Sequence, residues 1–139
     1  MRMSGKSLRR SEDGAALVEF AIVLPVLLLL VFGIIDFGRA LSVKNGIIAA
    51  VHDGARLAAV QYPDVNRQAV QESVKRFLAP LGIEPTVVVS ENRVNGTLQS
   101  VTVDAQYSFT PITPLVASVI NRSTIPISAS ATYRWEFGP

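Results

Sequence analysis

Residues 15–35 read AALVEFAIVLPVLLLLVFGII, 21 positions with one charged side chain, Glu19. As a helix rising 1.5 Å per residue the run reaches about 30 Å, the thickness of a bilayer's hydrocarbon core. The sequence therefore predicts a single transmembrane helix over 15–35. A carboxylate inside such a segment costs about 2.5 to 3.5 kcal/mol at the helix centre on insertion scales and marks a functional position. Glu19 lies one turn from the start, where the alternative is a carboxylate that snorkels to the interface.

With about 21 residues assigned to the membrane, one small domain remains for the outside. Arg2, Lys6, Arg9 and Arg10 against Glu12 and Asp13 supply the whole net charge of +2; the rest of the chain is balanced. That leaves no basic footprint and excludes nucleic acid as a partner. With no cysteine in the chain, disulfides, thiol nucleophiles and Cys-based metal sites are excluded. Four basic residues precede the span, whereas Arg39 and Lys44 are the basic residues in the fifteen positions after it. The positive-inside rule then puts the N-terminus in the cytoplasm and the C-terminal domain outside.

The chain divides into a basic leader (1–14), the span (15–35), an extramembrane continuation of the helix (36–61) and a small α+β domain (62–139). Residues 1–13 are polar without periodicity and read as disordered. Pro25 predicts a kink in the helix. Beyond the span Gly46, Ala50, Gly54 and Ala58 recur every fourth residue, a stripe that lets another backbone approach closely. We read it as the docking face for the chain's own C-terminal domain, the alternative being helix pairing between subunits.

Pro63 and Asp64 start a second helix with Val65, Ala69, Val70, Val74, Phe77 and Leu78 as its apolar stripe, ended by Pro80-Leu81-Gly82. A short strand over 86–90 leads to a hairpin turn over 92–97 that contains the pair Asn95-Gly96. Strict alternation from Val101 to Phe109, and again from Ile125 to Glu136, gives two further strands with one face buried. Pro126 favours a sheet edge for the last. Residues 114–120 read as a short apolar helix. The expected fold is α+β: a long N-terminal helix covered by an antiparallel three-stranded sheet. The domain from Tyr62 onward is close to the size at which burial alone is marginal, so packing on residues 36–61 is needed.

No phosphate loop, nucleophile elbow, metal-ligand spacing or cofactor motif is present, and His52 is the one histidine. Glu84, Glu91 and Asp104 are the acids available for general acid–base work; strands and turns carry such charges routinely, and the chain reads as a non-enzyme.

A basic leader ending in Gly14, then Ala15, Glu19 five positions after the glycine, Phe20 and an unbroken apolar run is the layout of a type IV prepilin-like N-terminus. With Val23-Leu24-Pro25, Asp36-Phe37-Gly38-Arg39, Gly54-Ala55-Arg56, Pro111-Ile112-Thr113-Pro114 and the final strand, the chain closely resembles the TadE/TadG-like pseudopilins of tight-adherence (Flp) pilus systems. It departs from that pattern in Phe20, where processed members often carry Tyr, and in acidic Glu12-Asp13, where a basic residue is common. The resemblance implies cleavage between Gly14 and Ala15 by a prepilin-type peptidase. It implies an assembly role for Glu19, whose carboxylate would meet the new amine of a neighbouring subunit, and partners among pilins, pseudopilins and the assembly machinery of the cytoplasmic membrane. The rival readings are a membrane-tethered adhesin or binding module and a secreted protein whose signal peptide ends near Leu41.

Overall fold

The computed structural model describes residues 6–113, 121 and 123–135. Helix α1 (Lys6–Val60) is one continuous element containing Pro25. Helix α2 (Arg67–Leu78) ends in a single 3₁₀ turn, and strands β1 (Thr86–Val94), β2 (Thr97–Phe109) and β3 (Ile125–Arg134) follow. They form an antiparallel sheet in the order β1-β2-β3, an α+β architecture. The Pro126 strand is an edge, where a missing N–H costs no ladder bond.

Helix α1 begins eight residues before Gly14, so residues 6–13 are helical and not the unstructured leader that their polarity predicts. No Gly or Pro interrupts 6–13, and extending a nucleated helix costs far less than starting one. The second helix starts at Arg67 and not at Pro63, because Asn66 is a better cap: its side chain accepts the Ala69 N–H at 3.1 Å. Its buried stripe is Val70, Val74 and Leu78. Phe77, expected in that stripe, is exposed, since a strict i, i+4 contact row leaves it to one side. Gly82, in the left-handed region at φ 66°, closes the 3₁₀ turn by donating to Ala79 O.

The hairpin is tighter than its sequence neighbourhood implies. Strand β1 runs on to Val94, and the turn is the pair Asn95-Gly96 at φ 50° and 80°. Positive φ at both central positions is the type I′ requirement. Between Asn92↔Ser100 and Arg93↔Leu98 the register shifts and Gln99 is left over. This bulge reverses the parity of β2, so that Leu98 before it and Val101, Val103 and Ala105 after it all bury. Residues 114–120 and Glu136 lie outside the described residues.

The core lies between the second half of α1, α2 and one face of the sheet. Ile47, Ala50, Val51, Ala55 and Ala58 of α1 meet Val70, Val74 and Leu78 of α2 and Val87, Val89, Val101, Val103, Ala105, Phe109, Ile127 and Ala131 of the sheet. Trp135 packs against this cluster and meets Tyr62 at a tilt and Tyr133 edge-on, with ring centroids 5.4 and 5.2 Å away. The other sheet face is polar; Thr102 and Thr132 share a hydrogen bond across it.

The small-residue stripe faces inward, and α2 is its nearest neighbour. A Cβ added to Gly54 would stand 2.6 Å from Val74 Cγ2, and one on Gly46 3.0 Å from Leu81 Cδ1. Val74 is 1% exposed and has nowhere to retreat. Gly54→Ala should therefore lower the thermal midpoint of the full chain in detergent, followed by fluorescence of the single Trp135. The overpacking cost of about 1 to 3 kcal/mol exceeds the ~1 kcal/mol gained in helix propensity, and Gly54→Leu should cost more. A raised midpoint would mean that α1 is not seated on α2.

Candidate functional site

Among the described residues, none packs against the first half of α1. It is long and apolar enough to cross a membrane, and no residue of its most apolar stretch is buried by the rest of the chain. Leu17, Val18, Phe20, Ile22, Val26 and Ile34 are exposed around the whole helix, which is stable only where the surroundings are themselves apolar. Gly14, Ala15, Glu19 and Phe20 all lie on this exposed surface. A side chain added at Gly14 would meet nothing within 4 Å. Ala15 and Glu19 are four apart, on one face, separated by about 6 Å along the axis. Among the described residues Glu19 has no hydrogen-bond or ion-pair partner.

At the first residue after the apolar run the environment inverts. Asp36 is 4% exposed, and its carboxylate accepts the backbone N–H groups of Ile112 and Thr113 at 3.0 Å each. Arg39, one turn on, donates to the same carboxylate at 3.3 Å and lies over the Phe109 ring, 5.2 Å from its centroid. Asp36 thus ties α1 to the segment that follows β2. Of the Asp36-Phe37-Gly38-Arg39 motif, Asp36 and Arg39 make contacts, Phe37 is exposed, and Gly38 opens onto empty space. Sequence reasoning named the motif but missed Phe109, Ile112 and Thr113 as its partners. The available signal was an acid placed immediately after a membrane-length run.

A second carboxylate is committed in the same way. The Glu91 side chain is largely buried and accepts from Arg67 Nε at 2.7 Å and from Arg93 Nη2 at 2.7 Å. Arg93 also donates to Pro63 O. The cluster fastens the start of α2 and the loop before it to the hairpin. Glu84, Glu91 and Asp104 are not brought together: Glu91 is opposite inward-facing Val101, and Asp104 belongs to the polar face. His52 is exposed on α1. Among the described residues no three His, Cys, Asp or Glu side chains converge as a metal site. On the outward side of α1, Lys44 Nζ donates to Ser128 O and holds the edge strand.

The N–H groups of Ile112 foremost, then those of Thr113 with its hydroxyl, and Arg39 hold the Asp36 carboxyl below its ordinary value, against the opposing effect of burial. A depressed carboxylate contributes stability that is complete above the unfolded-state pKa, about 4, and is lost as pH falls through the folded-state pKa. The stability difference between the wild type and Asp36→Asn should be level above about pH 5 and shrink as pH falls below about 4. Denaturant unfolding of both proteins across that range checks it. A difference that stays constant into acid would remove the carboxylate's charge from the account.

The family model described as TadE-like protein matches residues 14–56. No curated protein and no solved structure matches the chain. The matched segment begins at the exposed glycine before the apolar run, includes Glu19 and the Asp36–Arg39 pair, and ends on the packed helix face beside Gly54 and Ala55. Over residues 14–56 the chain is similar to the TadE-like family.

Proposed function

We propose that the protein is a minor pilin or pseudopilin of a tight-adherence (Flp, type IVc) pilus system. It is held in the cytoplasmic membrane by α1, with the N-terminus inside and the sheet domain outside. The observation that carries this reading is an uncovered apolar helix in which one carboxylate, Glu19, follows an exposed Gly14 by five positions, within the segment that matches the TadE-like family. The role is structural and not enzymatic, in keeping with acids such as Glu91 being spent on ion pairs. A folded outer domain suits a priming, tip or scaffold component better than a bulk fibre subunit.

Processing by a prepilin-type peptidase between Gly14 and Ala15 gives Ala15 a free amine, mostly protonated at neutral pH. Glu19 of a neighbouring subunit supplies the carboxylate for it, fixing the axial stagger while relieving the cost of a lone charge in lipid. Pilins, pseudopilins and the assembly machinery are the partners.

Two experiments address the two halves of the reading. Gly14→Leu should leave a membrane-bound precursor heavier than the processed wild type by the leader; identical masses would exclude processing at this bond. Glu19→Ala, and more stringently Glu19→Gln, should insert normally yet reduce piliation at least tenfold, the factor that about 1.4 kcal/mol of lost pairing represents. Full piliation in Glu19→Gln would remove the charge from assembly.

A further inference from the structure

We infer that the outer domain rests on the bilayer itself through a collar at the end of the span, with Ile112 and Phe37 entering the lipid interface and Arg39 reaching lipid phosphate. This rests on the reading of residues 15–35 as a membrane span.

The argument is one of axial level. Asp36 is the first residue past the apolar run, and its carboxylate holds the backbones of Ile112 and Thr113 at 3.0 Å. Residues 111–113 are thereby fixed at the height where hydrocarbon gives way to headgroups. At that height two large apolar side chains face outward, Phe37 at 69% and Ile112 at 67% exposure, while their neighbours Phe109 and Thr113 are buried. In water this pair would be an unfavourable surface; in the interface both continue the lipid-facing surface of α1 beyond residue 35.

The polar zone of a bilayer adds roughly 5 to 8 Å on each side of the hydrocarbon. Arg39 stands three residues past Asp36, about 4.5 Å further along the axis and inside that zone. Its side chain is 44% exposed. Among the described residues its guanidinium makes one hydrogen bond, to Asp36 Oδ1, and it is positioned by the Phe109 ring. Its remaining N–H donors suit a phosphate diester, which accepts a guanidinium fork well. The occupant is therefore a phospholipid surface. Strand β2 leads away from this level, thirteen residues and about 40 Å long, to the turn at Asn95-Gly96.

Because the chain lacks cysteine, single sites can be labelled in the full-length protein. Ile112→Cys, Leu28→Cys within the span and Val94→Cys beside the hairpin turn each take one nitrobenzoxadiazole probe, in vesicles of phosphatidylethanolamine and phosphatidylglycerol. Unchanged Trp135 emission certifies the fold. Nitroxides on lipid headgroups should remove most of the emission at position 112, and nitroxides near the acyl-chain ends most of that at position 28. Position 94 should respond to neither. Quenching at 28 with none at 112 overturns the collar and leaves the span standing, including when the 112 probe is shielded by a second copy of the protein. No quenching at 28 overturns the span and the collar together.

Discussion

A helix whose two halves require different surroundings governs everything else in this protein. The first half of α1 exposes large aliphatic side chains on every side and is stable only in an apolar medium. The second half buries Ile47, Ala50, Val51, Ala55 and Ala58 under α2 and the sheet. Both α2 and the sheet pack on this half of α1 and on each other, so the outer domain is built around the continuation of the apolar helix.

Asp36 marks the change of surroundings. A buried carboxylate costs several kcal/mol unless its lone pairs are satisfied, and here two backbone N–H groups and a guanidinium do so. The position is informative because it is the boundary residue: the bond that fastens the β2–β3 connection is made where the uncovered apolar run of α1 ends. Glu91 repeats the device at the other end of the domain, tying Arg67 and Arg93 together. Both acids fasten one element of the domain to another.

Much of the fold is legible in the sequence, for reasons that differ by element. Alternation along β2 and β3 follows from a sheet with one dry and one wet face, and the apolar run follows from bilayer thickness. The inward-facing glycines carry their own signal, since Gly54 in a helix interior has a cost that only close approach offsets. Local competition is harder to read. Asn66 displaces Pro63 as the start of α2 through one cap bond, and the bulge at Gln99 is set by β1's register rather than by residues near it. The polar stretch 6–13 is helical because it extends an existing helix. The site is less legible than the fold: Asp36 and its partner Thr113 are 77 positions apart, and nothing in either neighbourhood announces the other. The processing and assembly roles of Gly14, Ala15, Glu19 and Phe20 rest on the resemblance, and all four residues are exposed on α1.

The central claim is that α1 is a processed pilin-type helix rather than a simple anchor or a signal peptide. N-terminal sequencing of the native protein extracted from membranes tests it most directly. The account predicts a chain starting at Ala15, with a free amine one helical turn from Glu19. A chain starting at Met1 would contradict processing and leave a tethered domain, and one starting near Leu41 would contradict the membrane span as well.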